Sequence, residues 1–464
     1  MNDKTTTRTQ RDHKFRPLEE TIKEMMKQLQ VPGVAVGIIH EGEEYAAGFG
    51  VTNVGHPLPV DAKTLFQVGS ITKTVTGTAA MRLVEMGRLG LDQPLRTYIP
   101  DFKLADEEAA AKVTMRHLLT HTAGWPGDYF DDTGRGDDAL ARVVDRMARL
   151  PQLTEPGAFC GYNNAAFYLA GRIIELLTNQ TYEKAVKELV LEALGMTSSF
   201  FFAEEAITYR VAVGHMLQGS TLEVARSWAL PRAAHPAGGL VSCIADQLRY
   251  LRFHMIEGSD TDGRGMLTPA SIVQMRSPQL HNSFSSSTIG LTWWLREVDG
   301  VRIVEHSGAT IGQQALLLMV PELHFGMVVL TNATSGGQLC EEVTKWALRY
   351  YLTLGELEIV PLDLPREQLA PYIGQYSDSF TIWEVSIVDN RLILQILPSS
   401  ARQSGVKLHV PLAFCSTDRV LALDTYFKGT QGDFLRSPDG QIKWLRFAGR
   451  IAARLPEATS LLMQ

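Results

Sequence analysis

The chain has 464 residues, 45% of them hydrophobic and 20% charged, with a formal net charge of −7. That length exceeds what one hydrophobic core usually supports, so two domains of an ordinary globular protein are expected. The acidic balance and the lack of a Lys/Arg stripe exclude nucleic acid and anionic membrane surfaces as partners, and no stretch is apolar enough over its length to span a bilayer.

Residues 1–16 form a polar extension without the apolar run of a secretory signal. A cytoplasmic protein is therefore expected, unless an export signal has been removed. From Leu18 to Gln30, Ile22, Met25, Met26 and Leu29 recur at helical spacing. Gly33–Ile39 and Glu44–Phe49 read as a hairpin turning at His40-Glu41-Gly42-Glu43. Gly69-Ser70 then introduces a helical pattern through Ile71, Val75, Ala79, Leu83 and Met86.

Residues 91–212 are mainly helical, with candidate helices at Ala139–Leu150, Asn164–Leu177 and Tyr182–Leu194. A Gly/Asp-rich loop, Gly124–Asp138, interrupts them. Strand-like runs follow at Val301–Glu305, Gln314–Val320 and Gly326–Leu330, ahead of an amphipathic helix Gln338–Leu352. Strands at both ends with helices between imply one mixed sheet and an inserted helical subdomain, an α/β (α+β) architecture. Residues 358–365 read as a linker. Beyond it, Trp383–Val388, Leu392–Leu397 and Ile442–Phe447 with their turn signals imply a small all-β barrel or sandwich in 366–464.

Three elements carry chemistry. The first is Ser70-Ile71-Thr72-Lys73: three residues make nearly one helical turn, so hydroxyl and amine share a face. A serine needs a neighbouring base, and a lysine serves only where burial and a helix N-terminus disfavour its ammonium form. The plainer reading is an N-cap and a surface lysine.

The second element is Tyr162-Asn163-Asn164. A phenol beside an ammonium has its anion favoured, so it could take the serine proton and return it to a leaving group. Asn164 could donate to the lysine's neighbours or to a substrate carbonyl. The third is His306-Ser307-Gly308-Ala309, where a strand could offer the Ala309 amide beside that of Ser70 as an oxyanion hole, with Gly308 admitting close backbone approach.

In the order S-x-x-K, Y-x-N, H-x-G, with Leu91-Asp92-Gln93-Pro94-Leu95, His117-Leu118-Leu119-Thr120-His121-Thr122-Ala123-Gly124 and Ala237-Gly238-Gly239-Leu240, residues 17–357 resemble the class C β-lactamase-like, penicillin-binding-protein-like serine hydrolases. That group includes D-aminopeptidases, family VIII esterases and penicillin-binding-protein-type thioesterases. From Tyr372-Ile373-Gly374-Gln375-Tyr376 onward the chain resembles the lipocalin-like domain that trails many of them.

The resemblance implies a covalent acyl-enzyme on Ser70, a general-base pair of Lys73 and Tyr162, and contacts from Asn164, His306, Ser307, Gly308 and Ala309. Ester or amide, peptide-like substrates are implied. A cytosolic thioesterase or peptide cyclase, a D-stereospecific peptidase, a weak β-lactamase and a non-catalytic penicillin-binding protein are the alternatives. His306 stands where class C β-lactamases carry the lysine of K-T-G, and a histidine is charged only part of the time near neutral pH.

No cofactor and no metal are expected. His117 and His121 are four residues apart but lack the Glu of H-E-x-x-H and a third ligand. The four cysteines lie far apart and read as small buried hydrophobes. The Gly124–Asp138 loop is either a solvated connection or a lid whose aspartates attract a substrate amine. Nothing here fixes the oligomeric state.

Overall fold

The computed structural model describes residues 3–219, 221–228, 230–255, 265–280, 287–355, 359–398, 408–424 and 427–456. Residues 1–2, residue 358 of the expected linker and 457–464 lie outside them.

The first helix runs Asp3–Gln28, so it begins well ahead of Leu18 and continues through Pro17. Phe15, Leu18 and Ile22 are buried along it and join a core shared with the sheet and the helix Gly336–Leu352. Tertiary burial of this stripe outweighs the polar composition upstream.

Seven strands form one antiparallel sheet. Its order is Glu43–Gly50, Gly33–His40, Phe325–Thr331, Gln313–Val320, Val301–Thr310, Trp294–Val298, Ser287–Ile289. Both chain ends contribute, as the hydrophobic pattern implies. The last two strands were not anticipated. Trp294–Val298 reaches Val301–Thr310 through Asp299 and Gly300, both at positive φ, which is the turn chemistry a two-residue hairpin wants. On Val301–Thr310, Trp294–Val298 pairs with Val301–Glu305, so among the described residues His306–Thr310 has no strand partner on that side.

Against the sheet lies the helix Thr72–Glu85, nearly all of it buried. Its threonines satisfy their hydroxyls internally: Thr76 reaches Tyr182 and the Pro236 carbonyl, and Thr78 reaches Tyr250. A polar helix can sit in the core on those terms.

Eight strands between Gly374 and Arg454 close into a barrel, with Gly374–Ser377 pairing to Arg450–Arg454. Its interior is filled by Tyr376, Trp383, Leu394, Phe414, Phe434 and Leu445. The strands Ile442–Phe447 and Arg450–Arg454 turn at Ala448 and Gly449, both at positive φ, and that turn points into the first domain.

Candidate active site

Ser70 sits in a single 3-10 turn, Gly69–Ile71, which leads into the buried helix. Gly69 has φ of +52°, and a Cβ there would fall 2.6 Å from the Ala309 amide nitrogen. A Cβ on Gly308 would fall 1.9 Å from the Val68 carbonyl oxygen and 3.0 Å from the Ser70 nitrogen. Two glycines thus let the strand Val301–Thr310 lie directly against the serine turn, where the backbones of Ser70 and Ala309 approach each other closely.

Lys73 is fully buried, and its Nζ donates to Ser70 Oγ at 3.1 Å and to the Ala237 carbonyl at 2.6 Å. Burial, with the positive charge of Arg450 nearby, holds its pKa well below the ordinary lysine value, while Asp128 opposes this. Nζ also lies 4.9 Å from the ring centroid of Tyr162 and 5.4 Å from that of Phe167. The serine and lysine do share a face, in a setting that favours the free amine.

Tyr162 behaves differently from the sequence expectation. Burial pushes its phenol up to about 12, and the opposing influences of the Ser70 side chain and Arg450 only moderate this. The phenol is therefore held in its protonated form, while burial also works against the ammonium form of Lys73. The reason is the desolvation of a fully buried phenol, which outweighs the favourable charge of Arg450.

The Asn164 side-chain amide donates to Asp128 Oδ1 at 2.9 Å, a carboxylate whose charge acts on Lys73. Asn163, which the motif passes over, donates to the Trp125 carbonyl and accepts from the Ala166 amide at the start of the next helix.

His306 is buried, its Nδ1 lies 2.6 Å from the Ser307 carbonyl, and its Nε2 has no partner among the described residues. Burial, followed by the charge of Lys73, depresses its pKa to about 3. It is neutral near pH 7, not charged part of the time. Ser307 and Ala309 line a cleft of about 1430 Å³ between the sheet and the barrel.

Sequence reasoning missed Arg450. This barrel residue projects its guanidinium 4.7 Å from the Tyr162 ring centroid and pairs with Asp128 through Nε (2.9 Å) and Nη2 (3.2 Å). The Gly449 carbonyl accepts the Tyr162 amide at 2.7 Å. Arg446, bonded bidentately to Asp433, donates to the Cys160 carbonyl, and Trp444 donates to that of Leu153. The barrel thus grips the segment that carries Tyr162. The only local clue was a glycine in a strand-like run.

The Gly124–Asp138 aspartates are mostly neutralised already: Asp128 by Arg450, Asp131 by Arg146, Asp137 by Arg232 and Asp138 by Arg142. They do not form the free anionic mouth that a lid for amines requires. His117 and His121 each accept a backbone N–H, from Thr114 and Asn163, and His121 stacks on Tyr162 at 4.6 Å. All four cysteines are free, and Cys415 alone is not fully buried. Among the described residues no helix is long and apolar enough to cross a membrane.

The Beta-lactamase family model matches residues 18–348. Penicillin-binding protein 4 of Amycolatopsis lactamdurans is 36% identical over 320 residues, 68% of this chain and 84% of that protein. Among solved structures, SurE has a TM-score of 0.78 at 24% identity, covering 96% of this chain and all of that one, and it has also been solved with D-Leu. The octameric penicillin-binding protein homologue from Pyrococcus abyssi has a TM-score of 0.65 at 26% identity, covering 93% of this chain and 97% of that one.

Proposed function

Since the chain belongs to the Beta-lactamase family, we propose that it is a serine hydrolase or acyltransferase that forms a covalent acyl-enzyme on Ser70 from ester or amide, peptide-like substrates. The observation that carries this is Lys73, wholly buried and 3.1 Å from Ser70 Oγ, with its charge disfavoured.

In this reading the neutral Lys73 amine takes the Ser70 proton as Oγ attacks the substrate carbonyl carbon. The carbonyl oxygen gains the negative charge and receives the Ser70 and Ala309 amides. As the tetrahedral adduct collapses, Tyr162 gives its phenolic proton to the departing oxygen, nitrogen or sulfur and recovers one from Lys73. Water, or an amine, then attacks the Ser70 ester by the same steps reversed. Asp128, which accepts from the Asn164 amide, holds Arg450, whose guanidinium faces the cleft.

The neutral His306 leaves the strand without the cation that attracts a β-lactam carboxylate, which places antibiotic hydrolysis behind ester and peptide chemistry. A thioesterase or peptide cyclase acting on D-residues is a second reading. It is favoured by the volume of the cleft, about 1430 Å³, which admits a peptide, and by D-Leu in the SurE structure.

Ser70→Ala should abolish turnover across p-nitrophenyl esters, D- and L-amino acid anilides, a chromogenic cephalosporin and an acyl thioester. Activity surviving in that variant refutes the acyl-enzyme. Labelling of Ser70 by a fluorophosphonate without turnover of any substrate would make the protein a binder. Cyclic product from the thioester would select the cyclase reading over hydrolysis.

A further inference from the structure

Three consecutive amides, those of Gly161, Tyr162 and Asn163, all have backbone or ring acceptors from distant parts of the chain. The Tyr162 N–H goes to the Gly449 carbonyl of the barrel. Its two neighbours both go to one residue, His121: Gly161 donates to the His121 carbonyl at 2.8 Å, and Asn163 donates to the ring Nδ1 at 2.9 Å. The same ring stacks on that of Tyr162, with centroids 4.6 Å apart and planes 29° apart. A single residue thus brackets the phenol-bearing position on both sides and packs on its ring.

That arrangement asks for an unusual backbone. His121 has φ of +56°, a left-handed conformation uncommon for a residue with a Cβ, although His, Asn and Asp enter it more readily than most. Strain of this kind persists where the surroundings over-determine it, and it gathers at working sites. His121 is 1% exposed, and Phe167 and Trp294 also lie against its ring, at 5.3 and 5.9 Å. Because Nδ1 accepts, the proton of the neutral ring sits on Nε2, and that N–H has no partner among the described residues. Burial, ahead of the charge of Lys73, holds the His121 pKa well below its usual value, so the ring adds no second cation beside the amine. A left-handed backbone and a buried unpaired donor both work against stability. Both are what setting an imidazole against the phenol demands.

We infer that His121 is a positioning residue for acyl transfer: it fixes the Tyr162 phenol for delivery of a proton to the leaving group, and so extends the substrates to amides and alkyl esters. The inference rests on the acyl-enzyme reading. As the tetrahedral adduct collapses, the bond to the leaving atom breaks and its electron pair stays on that atom, which takes the Tyr162 proton. The Lys73 ammonium then restores the phenol with the proton drawn from Ser70. A p-nitrophenolate departs without a proton, whereas an alcohol or an amine needs one at neutral pH. Misplacing the phenol therefore penalises the second kind of substrate more. His121 acts only through Tyr162.

The p-nitrophenyl ester, methyl ester and anilide of one amino acid acyl group test it. Tyr162→Phe sets the scale, and should lose kcat/KM on the order of tenfold more on the methyl ester and anilide than on the p-nitrophenyl ester. His121→Asn tolerates the left-handed backbone and keeps an acceptor for Asn163 but removes the ring. It should show the same inequality, about tenfold, in kcat with KM little changed. His121→Phe keeps a ring but leaves the Asn163 amide unbonded, and should fall between His121→Asn and the wild type. A ratio of two substrates on one preparation does not depend on the fraction folded, so partial misfolding leaves the comparison intact. Equal losses on all three substrates in both His121 variants, with Tyr162→Phe still selective, overturn the positioning role and spare the acyl-enzyme. Activity surviving in Ser70→Ala, or a Tyr162→Phe protein blind to the leaving group, overturns the acyl-enzyme mechanism and this inference with it.

Discussion

The guanidinium of Arg450 lies 4.7 Å from the ring centroid of Tyr162, while the carboxylate of Asp128 holds it from the other side. A residue of the second domain therefore supplies a fixed positive charge to the Ser70–Lys73–Tyr162 cluster of the first. Its potential bears on Lys73 as well as on the phenol.

That relationship has a sign. Arg450 lowers the Lys73 pKa and Asp128 raises it, so Arg450→Met removes one influence and leaves the other uncompensated. The acid limb of kcat/KM, where Lys73 gains its proton, should move to higher pH. At neutral pH activity should fall on the order of 10- to 100-fold. Arg450→Lys, which keeps charge but cannot fork onto both Asp128 oxygens, should fall between. An acid limb unmoved in Arg450→Met would separate this residue from the base.

Arg446 is 1% exposed, bound to Asp433, and donates to the Cys160 carbonyl two residues before Tyr162. Arg446→Met would leave Asp433 buried without its cation, at a cost on the order of 3–5 kcal/mol. Calorimetry should show the loss in Tm, and kcat should fall with KM little changed, because the segment carrying Tyr162 is released. Removing everything after about Val360 should lower kcat in the same manner. Unchanged kcat in either protein would make the barrel a mere appendage.

Gly308 is irreplaceable on steric grounds, since any Cβ meets the Val68 carbonyl at 1.9 Å. Gly308→Ala should push the strand away from Ser70 and cost on the order of 10²- to 10³-fold in kcat, the usual effect of losing one oxyanion donor. Stability should change far less than activity. A variant with wild-type kcat would place the oxyanion elsewhere.

Acid should unfold the protein in two overlapping windows. His306 has a folded pKa of about 3 against an ordinary 6.5. The unfolded chain takes its proton first, so the stability that neutral His306 confers is complete above 6.5 and declines as pH falls toward 3. Glu183 has about 2 against 4.5. Its contribution, roughly 3 kcal/mol, is present above 4.5 and fades as pH falls toward 2. Denaturant titrations between pH 7 and 3 should show the first decline flattened in His306→Gln and the second in Glu183→Gln. Parallel curves for wild type and variants would remove these groups as its source.

What was legible in the sequence was local. The spacing of Ser70 and Lys73 is a property of one helical turn, and the strands Gly33–His40, Gln313–Val320 and Phe325–Thr331 announce themselves by continuous apolar runs. What was not legible depends on folding. The protonation of Tyr162 and His306 follows from burial, which no spacing encodes. The Arg450–Asp128 pair joins residues 322 positions apart, and neither stands out beside the other charged residues of its neighbourhood. The strands Ser287–Ile289 and Trp294–Val298 were passed over because they are short, although Asp299-Gly300 signals the turn from the latter into Val301–Thr310.

Closure of the barrel joins Gly374–Ser377 to Arg450–Arg454, and the turn that precedes the latter strand is the one that seats Tyr162. Ser70 and Lys73 can therefore be in place well before their partner is. If the acyl-enzyme reading holds, a chain that has not yet acquired its last strand would lack the contact that locks the phenol and would therefore not attack esters or peptides around it.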